Sequence, residues 1–85
     1  MPVRVVYRYE SDHAREVLDY LRDFERSTGH KIEEVSPDTP DGAHTCRTYD
    51  IVEYPTLLAT TDDGQLRQMW RGSPLPTISE VSFYV

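Results

Sequence analysis

The sequence predicts an α/β domain with the element order β-α-β-α-β-β-α, and three stretches carry that prediction. Val3 to Tyr9 alternates, with Val3, Val5, Tyr7 and Tyr9 on one face and Arg4, Val6 and Arg8 on the other, which is the period of a strand. Between Ser11 and Gly29 the apolar residues Ala14, Val17, Leu18, Leu21 and Phe24 recur at helical spacing. Further on, Pro55 leads into the run Thr56-Leu57-Leu58-Ala59-Thr60, and Asp63-Gly64 separates that run from a second strand-like stretch. Proline is tolerated at a strand's first residue because its missing N–H is not needed there. Asp-Gly signals a hairpin because the primed turns need positive φ.

Taken in order, the first strand has one clearly apolar face. A central strand covered on both faces would read as a more continuous apolar run, so Arg4 and Arg8 predict thin cover on the face opposite the first helix. Ser11 and Asp12 are N-cap residues for that helix, and Gly29 stops it. Its outer face carries Arg15, Glu16, Asp19, Arg22, Asp23 and Arg26, a solvated surface with i,i+4 neighbours such as Asp19 with Asp23 and Arg22 with Arg26. Lys31 to Val35 reads as a short edge strand, made polar by Glu33 and Glu34. The segment from Ser36 to Gly42 is rich in turn residues, and Thr39-Pro40 fits an N-cap and first helical position, so a second helix is expected from Pro40 to Thr48. Leu66, Gln68 and Trp70 oppose Arg67, Met69 and Arg71 on the last strand, with Trp70 read as core. Ser73-Pro74-Leu75-Pro76 then opens a final helix whose stripe is Leu75, Ile78, Val81 and Val85.

The 85 residues fit a single domain, 1–85, with one core and no room for a long lid. Nine Lys plus Arg stand against 15 Asp plus Glu, a net charge of -6, and the arginines are scattered, which argues against a nucleic-acid partner. The chain lacks the apolar run of about 18 residues that a membrane span needs. Its N-terminus passes directly into a strand pattern, so a cytoplasmic protein is expected. One cysteine makes no internal disulfide, which suits a reducing compartment.

Tyr49-Asp50-Ile51-Val52-Glu53-Tyr54-Pro55-Thr56-Leu57, the hairpin at Asp63-Gly64 and the closing Trp70-Arg71-Gly72 together resemble the C-terminal half of the thioredoxin superfamily. The element order resembles the minimal core of glutaredoxins, so the expected fold is thioredoxin-like with a four-stranded mixed sheet. The resemblance covers the whole chain in layout and about residues 46–76 in motif. It implies that Pro55 is cis and that the backbone of Tyr54 is offered to an extended peptide.

The same resemblance places a Cys-x-x-Cys at the start of the first helix, where the dipole and free N–H groups stabilise a thiolate. Here those positions read Ser11-Asp12-His13-Ala14, so disulfide oxidoreductase activity and catalytic residues are not expected. A serine first is similar to glutathione transferases, which makes thiol-related chemistry through Ser11, or through the single thiol Cys46, the alternative reading. Cys46 falls on the inner face of the second helix, three residues after Ala43 and three before Tyr49, and reads as a buried small hydrophobe. His30, His44 and Cys46 lack metal-ligand spacing, and Ser11, Asp12 and His13 form no triad, so neither a metal nor a cofactor is expected. The leading expectation is a redox-inactive domain that binds a protein or extended peptide through Ser11, Asp12, His13, Tyr54, Pro55 and Thr56.

Overall fold

Strand β3 (Thr56–Thr60) is the centre of the molecule: all five of its residues are buried, with Leu57, Leu58 and Ala59 as its apolar middle. The computed structural model describes residues 3–72 and 74–85. Its elements are β1 (Val3–Val6), α1 (Ala14–Thr28), β2 (Glu33–Val35), α2 (Pro40–Tyr49), β3, β4 (Leu66–Arg71) and α3 (Ile78–Ser82), in the order expected from the sequence. The four strands lie in the order β2-β1-β3-β4. β1 pairs with β2 in parallel and with β3 antiparallel, and β4 completes an antiparallel hairpin with β3.

The sheet separates two apolar clusters. The larger contains Val3, Val5 and Tyr7 of the first strand region, Val17 and Phe24 of α1, Leu57 and Ala59 of β3, and Val81 of α3. The smaller holds Val6, Ile51 and Leu58, with Cys46 and Tyr49 of α2 packed against them. That second side is thinly covered, as Arg4 and Arg8 imply. Arg4 places its guanidinium 5.7 Å from the centre of the Tyr49 ring and Arg8 lies 5.4 Å from that of Tyr54, so cation–π contacts close part of a face that aliphatic residues would otherwise fill.

Several boundaries differ from the sequence reading. β1 ends at Val6 rather than Tyr9. Tyr7 still donates its N–H to Val35 O at 3.1 Å, but the chain then turns away, leaving Tyr9 half exposed against the Tyr7 ring. The hairpin turn spans three residues rather than two: Gln65 O accepts from Thr61 N at 2.8 Å, and Gly64 takes φ 89°, which glycine adopts without strain. A register shift at Ala59/Thr60 leaves Arg67 outside the pairing, a β-bulge that breaks the expected alternation of β4. On α1, Val17 and Phe24 are buried, whereas Leu18 is 50% exposed at the edge of the stripe. Its outer charges pair with opposite sign at i,i+3, Arg22 with Asp19 at 2.8 Å and Arg26 with Asp23 at 2.5 Å, which separates the like-charged neighbours. Exposed pairs of this kind contribute about 0–1 kcal/mol. α3 starts at Ile78 under a Thr77–Glu80 capping box, later than the Ser73-Pro74 opening, of which Ser73 lies outside the described residues.

Four tyrosines link this packing to pH. Burial is the first cause that pushes up the hydroxyls of Tyr7, Tyr9, Tyr20 and Tyr54, with Tyr20 raised to about 12. Tyr7 goes further because its hydroxyl donates to Glu34 Oε1 at 2.6 Å and would be left facing a carboxylate if ionised. Below about pH 10 these groups are protonated in both the folded and the unfolded chain; above it the unfolded chain loses protons first, so stability falls as pH rises. The urea midpoint is therefore expected to drop between about pH 9 and about pH 11, and by less in Tyr7→Phe. An unchanged midpoint would contradict it.

Candidate functional site

Two loops at one end of the sheet form the site, and Arg8 joins them. The first follows β1. Ser11 Oγ donates back to Arg8 O at 2.6 Å, Ala14 N donates to Ser11 O at 3.2 Å, and Val17 N donates to His13 O at 3.1 Å. Residues 11–13 are thus a turn leading into α1. The expected caps Ser11 and Asp12 do not cap: His13 is the N-cap residue, with no side-chain cap bond, because the Ser11 hydroxyl is committed upstream. Ser11 is half-buried and Asp12 exposed. His13 is half-buried, its ring edge-on to Tyr7 at 6.3 Å, and its Nε2 is buried with no hydrogen-bond partner.

The second loop connects α2 to β3. Asp50 ends α2 in the left-handed region at φ 56°, and its N–H, like that of Ile51, returns to Cys46 O. The Tyr54–Pro55 peptide is cis. Glu53 O accepts from Thr56 Oγ1 at 2.6 Å and Pro55 O accepts from Gly72 N at 2.8 Å. Pro55 and Thr56 are buried, and the Thr56 hydroxyl points into its own loop, so of residues 54–56 only Tyr54 presents a side chain outward.

Arg8 bridges the two. Its guanidinium lies over the Tyr54 ring and donates from Nη1 to Asp38 Oδ1 at 3.1 Å, while its carbonyl receives Ser11. The Tyr54 hydroxyl reaches the Cys46 sulfur at 3.9 Å. Burial, then the hydrogen bond and charge of Cys46, push the Tyr54 hydroxyl up, and Arg8 opposes them. Cys46 is on the inner side of α2 as expected, though half-buried rather than enclosed. Beside the bridge, Arg8, Tyr9, Glu10, Ser36 and Asp38 line an open depression of about 410 Å³. Sequence reading missed Arg8 and Asp38 as site residues; the arginine breaking the apolar alternation of residues 3–9 was the available signal.

Among the described residues no three His, Cys, Asp or Glu side chains converge on a metal position, and no helix is long and apolar enough to cross a membrane. No protein-family model and no curated protein matches the sequence. The structure is similar to that of thioredoxin 1 from the thermophilic eubacterium Thermosipho africanus, with a TM-score of 0.66 at 12% identity over 99% of this chain and 89% of that one. The fold of this chain is therefore thioredoxin-like.

Proposed function

We propose that the protein is a non-catalytic interaction domain that holds an extended protein segment beside the Tyr54–Pro55 loop. One observation carries this reading. Glu53 O and Pro55 O are both engaged, whereas among the described residues Tyr54 makes no backbone hydrogen bond. An unpaired N–H and C=O next to a strand is what an added peptide strand uses. In this reading the Tyr54 ring and Arg8 form one wall of the groove, Ser11, Asp12 and His13 form the other, and Pro55 and Thr56 hold the loop from within. The alternative, thiol chemistry through Ser11 or Cys46, lacks comparable support: the Ser11 hydroxyl is bound to Arg8 O, and the Cys46 sulfur lies against Tyr54.

A partner recovered by pull-down from the native cell and titrated into labelled protein is expected to shift amides at 10–14 and 53–57, and Tyr54→Ala is expected to weaken it. Shifts confined to the outer face of α1 or to α3 would place binding elsewhere. Insulin reduction with dithiothreitol is expected to run no faster with the protein than without it. Clear turnover would overturn the non-catalytic reading.

A further inference from the structure

We infer that the open edge of β4 and the aromatic cleft beside it form a second protein-binding surface, one that takes an extended segment of alternating acidic and apolar residues. β4 is a terminal strand of the sheet, six residues long. The Met69 N–H is not used by β3; it donates to Oε1 of the preceding Gln68 at 2.9 Å, a local substitute that an incoming strand can displace. Between this edge and α3 lies a cleft of about 410 Å³ lined by Gln68, Trp70, Ser79, Glu80, Phe83 and Tyr84. Its rings meet edge-on, Trp70 with Tyr84 at 5.5 Å and Phe83 with Tyr84 at 5.2 Å, and Phe83 is 77% exposed. A lone exposed phenylalanine is ordinary, but three rings gathered around one cleft make a patch.

Charge selects the occupant. The only charged residues of β4 are Arg67 and Arg71, in a chain of net charge -6, and among the described residues neither pairs with a carboxylate. The bulge turns Arg67 over the Tyr84 ring at 5.0 Å, at the cleft, while Arg71 donates to Asp50 O at 3.1 Å on the other face. Glu80 also lines the cleft and keeps its charge, but its carboxylate is turned to the α3 capping box and forms no ion pair with either arginine among the described residues. Side chains of an added strand alternate between faces. Apolar ones would therefore enter the cleft beside Arg67, and acidic ones, on the opposite face, would meet Arg71. A second copy fits less well: β4 against β4 brings no carboxylate to either arginine, and the acidic edge β2 is only three residues long.

The test is an NMR titration with a short, end-capped peptide alternating glutamate with leucine and phenylalanine, beside a counterpart with lysine for glutamate. Saturable shifts at 66–71 and 79–84 are expected with the glutamate peptide and none with the lysine one. Raised salt, Phe83→Ala and the pair Arg67→Glu and Arg71→Glu should each weaken binding several-fold; Phe83 is exposed enough to leave the fold intact. Absent shifts, equal binding of both peptides, shifts at 53–57 instead, or concentration-dependent shifts at 33–35 and 66–71 without peptide would each overturn the inference.

Discussion

Phe24→Ala is expected to cost about 3–5 kcal/mol, the range for removing a large aromatic ring from a packed core. The ring has no exposed surface and belongs to the cluster that joins α1 to β1, β3 and α3. Tyr20 stacks on it at 6.3 Å, so the change also loosens the outer layer of the helix. A domain of this length has a total stability on the order of 4–13 kcal/mol. One truncation therefore removes about a quarter of it or more, and the melting temperature should fall by on the order of 20 °C. Leu18→Ala on the same helix is the control: that side chain is half exposed, and a change within about 1 kcal/mol is expected. Urea titration of both variants checks the contrast. A Phe24→Ala loss as small as that of Leu18→Ala would show that α1 does not dock through this ring.

The elements themselves were legible because their signals are local. The stripe on α1, Thr39-Pro40 before α2 and the apolar run after Pro55 each depend on near neighbours in the chain. What was not legible depends on residues far apart. The β1 alternation continues through Tyr9, and nothing nearby reveals that the strand stops at Val6, where its pairing with β2 and β3 ends, at Val35 and Thr56. The bulge at Ala59/Thr60 depends on how two strands meet rather than on either one. For the candidate site, Ser11 to His13 and Tyr54 to Thr56 were read from two separate stretches. Their link is Arg8, which touches Ser11 through its carbonyl and Tyr54 through its guanidinium. Read along the sequence, Arg8 is only an irregularity in an apolar strand. Thr56 shows the reverse error: a polar residue beside the loop proline suggests a contact surface, yet its hydroxyl is spent on Glu53 O.

Gly42→Ala is the second large effect, and its sign makes it diagnostic. Replacing glycine by alanine inside a helix ordinarily stabilises by about 1 kcal/mol. Here a Cβ would lie 1.6 Å from Ser36 O and 2.6 Å from Ser36 C, an overlap with backbone that no side-chain rotation relieves. The Ser36 carbonyl cannot withdraw freely, because it accepts from Thr39 N at 3.3 Å and Thr39 Oγ1 at 3.0 Å, and the same Thr39 oxygen accepts from Gly42 N at 3.0 Å to cap α2. Relief requires the 36–39 turn to move away from the helix, giving up those bonds and shifting Asp38 from Arg8. The expected loss is about 3 kcal/mol or more. Amide shifts should spread from residues 36–42 to Arg8 and Tyr54, since the ion pair and the ring contact form one chain. A Gly42→Ala protein at least as stable as the parent, with an unaltered spectrum at Arg8, would mean that the turn does not close onto α2 and that Asp38 does not help to hold the site.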